Sequence, residues 1–227
     1  GVEGVSGEEW APVISRYLGE VALLDAQVGK LLDTLEHLGV AENTLVIYTT
    51  DHGDFCGGHG MMDKHFAGYD DIMRVPLMIR WPGKVPEGTE CEVFSSHAID
   101  VATTVCKAAG VEPPDDQFCG YDLVDVANGT VEVRRDDIFS MYQGCQMGLW
   151  SLRMVRDERY KFIYHATAEP EFYDLQKDPG ELENRANDPA YSEEVKRLRE
   201  RTIAWMEDIG EPLLNHWTRN QLSNGIW

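Results

Sequence analysis

Positive charge is scarce in this sequence: 20 lysines and arginines stand against 40 aspartates and glutamates, a formal net charge of -20. A surface of that sign repels phosphates, which excludes nucleic acid and anionic membranes as partners. An anionic substrate would need a locally positive site, a metal or a lysine, to overcome the field. Long apolar runs are also missing, since no stretch reaches the roughly 18 to 20 residues of a membrane span. The N-terminal GVEGVSGEEW lacks the basic and apolar pattern of an export signal. A soluble chain is expected, and its compartment, whether cytoplasmic, periplasmic or secreted, is left open. The five cysteines, Cys56, Cys91, Cys106, Cys119 and Cys145, are odd in number and form no CxxC pair, which speaks against a zinc ribbon or a disulfide framework. Internal repeats and low-complexity tracts are absent.

The periodicities that are present divide the chain into two styles. Apolar residues at 14, 17, 18, 21, 24, 28, 31, 35 and 38 keep the spacing of one helical face, so Ile14 to Leu38 reads as a helix ended by Gly39. Thr44 to Thr49 is an almost unbroken apolar and β-branched run and predicts a strand buried on both faces. Residues 55–70, with four glycines and no apolar period, read as a long loop of the functional kind. A second strand is expected from Val75 to Trp81, made edge-like by Pro76. Asp100 is expected to cap a helix from Val101 to Ala109 that Gly110 ends, and residues 111–136 read as a linker. Beyond it, Ile138–Tyr142, Leu152–Arg156, Tyr160–Tyr164 and Glu171–Leu175 read as short strands. Val195, Leu198, Thr202, Trp205 and Ile209 then mark one face of a helix from about Tyr191 to Ile209. The expected fold class is α/β, a partial mixed sheet plus a C-terminal antiparallel sheet with one packed helix. The expected domains are 1–120, an α/β core, and 121–227, an α+β subdomain.

The first predicted strand runs out into YTTDHGD, and residues 51 to 65 gather Asp51, His52, Asp54, His59, Asp63, Lys64 and His65. Ligands in α/β folds sit at the C-terminal ends of strands, so this is a functional position. Local chemistry leaves two readings open. Asp-His-Gly-Asp can be a plain turn, with the carboxylate bonded to backbone N–H groups and Gly53 at positive φ. Equally, a chain bending out of a strand can turn Asp51 and His52 toward one cation, the carboxylate suiting calcium or magnesium and the imidazole suiting manganese or zinc.

The stretch TLVIYTTDHGDFCGGHGMMDKHFAGYDDIMRVPLMIRWPG resembles the sulfatases of the alkaline-phosphatase-like superfamily. So do YLGEVALLDAQVGKLLDTLEHLG before it, and SSHAIDVATTV and EFYDLQKDPGELEN after it. The resemblance implies an alkaline-phosphatase-like core and names roles. Asp51 and His52 would be ligands of a divalent metal, calcium in most sulfatases and manganese or magnesium in some relatives. Lys64 would contact the sulfate and steady charge on the leaving oxygen, and His59 would line the pocket as a second catalytic candidate. Asp54 and Asp63 would be turn residues, Asp100 a helix cap, and Arg74 a partner for nearby carboxylates.

A complete sulfatase also carries two adjacent aspartates and a Cys-x-Pro-x-Arg or Ser-x-Pro-x-Arg motif whose first residue becomes a formylglycine nucleophile. Neither form of the nucleophile motif occurs here, and the metal-binding aspartate pair is expected, like it, well upstream of these residues. The expectation is therefore the C-terminal part of a longer hydrolase. It would have negligible activity in isolation and would take a sulfate ester together with the missing N-terminal half; with edges and helix faces exposed, it would either dimerise or be partly disordered near residues 1–12 and 55–70. A phosphate or phosphonate ester hydrolase on the same scaffold, and a non-catalytic fragment, are the competing readings.

Overall fold

The computed structural model describes residues 4–112, 114, 118–145 and 149–225, which form two compact units. One comprises Gly1–Lys64 and Asp71–Arg134, the other His65–Asp70 and Arg135–Trp227. Among the described residues no helix is long and apolar enough to cross a membrane. Cys56, Cys91, Cys106 and Cys119 are free thiols, and the Cys145 side chain lies outside the described set.

In the first unit, helix α1 runs Gly7–His37, seven residues earlier than the apolar period indicates. Its start is set by a capping box: the Ser6 hydroxyl accepts from the Glu9 N–H, and the Glu9 carboxylate accepts from the Ser6 N–H at 2.9 Å. Gly39 closes it at φ +68°. The predicted apolar stripe is correctly periodic, yet α1 contains no buried residue; Leu18, Leu24 and Leu31 are half or more exposed. Strand β1, Val46–Thr49, pairs antiparallel with β2, Leu77–Arg80, in the register Val46↔Arg80 to Thr49↔Leu77. The expectation of burial on both faces fails here, because β1 is only half-buried along its length and β2 is its one neighbour among the described residues. An apolar run reports what a strand would shed water against, not how many neighbours it has. Pro76 stays outside the ladder, as a residue without an N–H must.

The short helix α2, Asp70–Met73, ends the glycine-rich loop, which itself contains a 3₁₀ turn at Gly58–Gly60. Helix α3 spans Asp100–Ala108, and here the sequence reading needs correction. Ile99 holds the cap position, while Asp100 lies inside the helix and is 1% exposed. Its carboxylate accepts from the N–H groups of Ser96 at 2.6 Å and Tyr121 at 2.8 Å, tying α3 to a segment 21 residues on. Nor is 111–136 only a linker: α4, Leu123–Ala127, is capped by Asp122 and fastened to α3 where the Thr104 hydroxyl accepts from the Leu123 N–H. Residues 113 and 115–117 of that stretch lie outside the described set.

The second unit is an antiparallel meander in the order β3-β4-β5-β6: Asp137–Cys145, Leu149–Asp157, Tyr160–His165 and Glu171–Asp174. One sheet face buries Val155, Phe162, Tyr164 and Phe172 against Val195, Leu198 and Met206 of α5, Ser192–Asp208. Each fully buried apolar side chain of this kind contributes about 1.5–3 kcal/mol. The buried stripe on α5 is Val195, Leu198, Thr202 and Met206, a 3-4-4 spacing. Of the other predicted positions, Trp205 stacks on Phe139 at 4.8 Å and Ile209 is 46% exposed. A second helix, α6, His216–Asn224, adds Leu222 to the core, so two helices cover this face rather than the expected one. Its composition, HWTRNQLSN, is too polar to announce it.

Residues 66–70 cover the opposite face. Phe66 packs on Tyr142 and Trp150 with ring centroids 4.6 and 5.7 Å away, and Gly68 lies so close to Ile163 that a Cβ would sit 2.8 Å from Cδ1. Lys161, fully buried on this face, places its ammonium 2.6 Å from both Asp70 and Glu181 and donates to the Gly68 carbonyl at 3.0 Å. Glu181 also accepts from the Asp70 N–H at 2.6 Å, and Arg156 lies 3.4 Å from Asp70. Burial pushes the Glu181 carboxyl above the usual range, against the opposing pull of the Lys161 charge.

Candidate functional site

The candidate site belongs to the first unit and begins where β1 ends. Beyond Thr49 the chain turns: the Thr50 hydroxyl donates to the His52 carbonyl at 3.2 Å, and the Asp51 carboxylate accepts from the His52 N–H at 3.1 Å. Gly53 then fastens the turn to α2, its N–H donating to the Ile72 carbonyl at 2.9 Å. The need for glycine here is steric. Gly53 is absent from the positive-φ residues, contrary to the plain-turn reading, but a Cβ would lie 1.8 Å from the Asp71 carbonyl oxygen. Gly53→Ala is therefore expected to destabilise the protein by about 1–3 kcal/mol, the cost of overpacking, measured as a shift in the urea unfolding midpoint. An unshifted midpoint would mean the α2 turn yields freely.

His52 donates through Nδ1 to the Gly53 carbonyl at 2.7 Å. A carbonyl can only accept, so the proton sits on Nδ1 and the Nε2 lone pair is left for another partner. That nitrogen lies 3.5 Å from Asp51 Oδ2, whose side chain is 82% exposed. Desolvation, the largest single influence, raises the Asp51 pKa. Its own backbone N–H, the charge His52 carries whenever Nε2 is protonated as well, the Thr50 hydroxyl and the His52 amide together outweigh that and hold the carboxyl below the usual range. An anionic oxygen and an imidazole lone pair thus stand side by side, a donor set that fits a divalent cation. Among the described residues no cluster of three or more such groups exists, and Asp51 and His52 stand as a pair.

The following loop is compact. Phe55, 2% exposed, is its plug. The Phe55 N–H donates to the Asp63 carbonyl, Gly57 to Met61 and Gly58 to Phe55. Gly57, at φ +100°, lies flat against Trp10, whose ring a Cβ would approach to 3.1 Å. Asp54 accepts from the Cys56 N–H at 2.7 Å and Asp63, at φ +61°, from the Lys64 N–H at 2.7 Å, which are the turn roles expected of them. Burial, then the Asp54 charge, push the Cys56 thiol up and keep it protonated, the reverse of an activated nucleophile.

Lys64 leaves this loop exposed, and its ammonium has no hydrogen bond or ion pair with a described residue. His59, at φ +52°, turns its ring edge to Phe55 and its Nε2 toward Asp71 at 3.7 Å, with 13% of the side chain exposed. His65 is exposed. Arg74 is exposed too and forms no ion pair with a described residue, so its expected role as a carboxylate partner is not realised. Asp71 is what the sequence reading passed over: its carbonyl meets Gly53, and its carboxylate meets His59 and lies 3.0 Å from where a Gly58 Cβ would be. The clustered glycines were the available signal, since close backbone approach is one of the few reasons to have them.

The family described as N-sulphoglucosamine sulphohydrolase, C-terminal, matches residues 57–208. An N-acetylglucosamine-6-O-sulfatase of Bacteroides thetaiotaomicron is 32% identical over 189 residues, covering 80% of this chain and 33% of that protein. A choline-sulfatase of Rhizobium meliloti is 33% identical over 175 residues, covering 76% and 33%. The solved structure of a phosphonate monoester hydrolase of Agrobacterium radiobacter superposes with a TM-score of 0.75 at 30% identity, over 96% of this chain and 43% of that one. The chain thus spans about a third of the length of these two curated relatives. With its strand-end Asp-His pair, its glycine-packed loop and its meander, the chain belongs to the sulfatase family represented by the N-sulphoglucosamine sulphohydrolase C-terminal region.

Proposed function

We propose that this chain forms part of the active site of a sulfuric ester hydrolase. The nucleophile would be a formylglycine that the chain does not carry, since neither Cys-x-Pro-x-Arg nor Ser-x-Pro-x-Arg occurs in it. The observation that carries the reading is the juxtaposition of Asp51 Oδ2 and His52 Nε2 at the end of β1, with the imidazole proton held on Nδ1 by the Gly53 carbonyl. Asp51 and His52 would hold the divalent metal, calcium by preference for the carboxylate, with manganese or magnesium as alternatives. When bound, that ion supplies positive charge where a sulfuryl group carries negative oxygens. Lys64 presents a mobile ammonium to the same anion, neutralising charge on the sulfate and on the leaving oxygen as the ester bond breaks. In a chain of net charge -20, such a local cation is what draws an anionic ester in.

The second reading, a phosphate or phosphonate monoester hydrolase, draws on the likeness to the Agrobacterium enzyme and on histidine rather than asparagine beside Asp51. Steady-state hydrolysis of 4-nitrophenyl sulfate and of 4-nitrophenyl phenylphosphonate by the complete enzyme separates the two. The proposed function expects kcat/KM to favour the sulfate by at least about a hundredfold: both esters are monoanions, so the preference must come from pocket contacts that accept a sulfate oxygen where the phosphonate carries a phenyl group. A preference for the phosphonate would overturn it in favour of the second reading.

A further inference from the structure

The second unit contains a cavity of about 180 Å³ whose lining includes Asp188, Pro189, Ser192, Val195, Arg199 and Gly225. Ser192, Val195 and Arg199 are spaced 3 and 4 apart on α5 and so share one helix face. Arg199 is unlike its neighbours on that helix. Arg197 pairs with Asp157 and Arg201 with Asp137, whereas Arg199 forms no ion pair with a described residue, and its Nε is sealed from solvent without an acceptor among them. In a chain with twice as many acids as bases, a half-buried guanidinium without a carboxylate is conspicuous.

Among the described residues, the surroundings hold that charge in place without a carboxylate to pair with it. Gly225 closes α6 at φ +63°, and a Cβ there would fall 1.9 Å from Arg199 Nη1, so the guanidinium lies across the end of that helix. Burial lowers the pKa of Arg199, opposed by the Glu200 charge. The acid in the lining, Asp188, is already engaged: Oδ1 accepts from the Ala190 N–H at 3.0 Å and Oδ2 faces Arg185 at 3.4 Å. The turn at Pro189–Tyr191 runs directly into α5 and the Ser192 N–H is spent on the Pro189 carbonyl, so the hydroxyl is the donor Ser192 has to offer. Pro189 and Val195 give the rest of the wall an apolar character. The volume exceeds the ~150 Å³ that accommodates a benzene ring.

We propose that this cavity binds a small oxyanion, inorganic sulfate or a carboxylate, with the Arg199 guanidinium as its counter-ion and the Ser192 hydroxyl as a further donor. Isothermal titration of the purified protein with sodium sulfate and with sodium acetate, each against sodium chloride at equal ionic strength, tests this and distinguishes the two anions. Saturable binding of one of them is expected. Arg199→Met should weaken it at least about tenfold, and Arg199→Lys, which keeps charge but loses the fork, should weaken it less. Ser192→Ala, an exposed change that leaves the core intact, should weaken it a few-fold and serves if Arg199→Met does not fold. Absence of saturable binding in the wild type would overturn the proposal. So would wild-type affinity retained in a folded Arg199→Met, or in both Arg199→Lys and Ser192→Ala, as would a cavity that holds water alone.

Discussion

Lys64→Ala is expected to lower kcat for sulfate-ester hydrolysis by about 10²–10³ in the complete enzyme, the loss measured when one preorganised donor is taken from a developing negative charge. The same substitution should leave thermal stability within experimental error. The rate expectation rests on the proposed role of Lys64; the stability expectation rests on its exposed side chain, whose removal breaks no hydrogen bond or ion pair with a described residue. Lys64→Arg should recover part of the rate, because charge persists while the point-like ammonium is replaced by a planar fork. Asp51→Ala belongs to the same class, since its carboxylate is 82% exposed and its hydrogen bonds are local. Steady-state kinetics with 4-nitrophenyl sulfate, beside a melting curve, separates loss of chemistry from loss of fold. Full activity in Lys64→Ala would remove the lysine from the proposed mechanism.

The largest effect on stability is expected at Lys161. Lys161→Met should cost about 3–5 kcal/mol, because breaking a buried pair leaves its partner charges uncompensated. Here two carboxylates, Asp70 and Glu181, each lie 2.6 Å from the lost ammonium, with Arg156 at 3.4 Å the remaining cation beside Asp70. Adding Glu181→Gln should restore part of the loss by removing one stranded charge, whereas Glu181→Gln alone should be milder than Lys161→Met. Urea denaturation of the four proteins forms a double-mutant cycle. Additive losses would mean that the pair does not interact, in conflict with its geometry. The consequence reaches beyond β5, because Lys161 also holds the Gly68 carbonyl and so fastens residues 66–70 to the sheet.

Much of this architecture could be read in advance, for a particular reason. Strands β3 to β6 and helix α5 fall within a few residues of their predicted places, because alternation of period 2 and a face of period 3.6 are local properties that short stretches of sequence display directly. The strand-end position of Asp51 and His52 was legible in the same way: an apolar run stops, and polar residues follow. Helix α1 shows the limit of that signal, since its start was set by Ser6 and Glu9 rather than by an apolar residue.

Contacts between polar residues far apart in the chain were a different matter. Asp70 and Lys161 meet across 91 positions, and nothing in YKFIYH marks its lysine as more buried than any solvent-facing residue of an alternating strand. Asp100 sits where a cap is expected, yet its carboxylate turns to Ser96 and Tyr121 because Tyr121 is brought there by a chain path that no local pattern encodes. Arg74 is exposed and forms no ion pair with a described residue, although its charge made a carboxylate partner the natural expectation. Gly53 looked like a turn glycine until the Asp71 carbonyl was found in the space a methyl group would need. Periodicity thus sufficed for β3 to β6, α5 and most of α1, though not for α4 or α6, and the family was legible only through the resemblance of whole stretches such as the one from Thr44 to Gly83. The pairing of charges, the close approach of backbones and the two helices behind the meander arose from packing, where one side chain's neighbours are chosen by the whole chain's path rather than by the residues beside it.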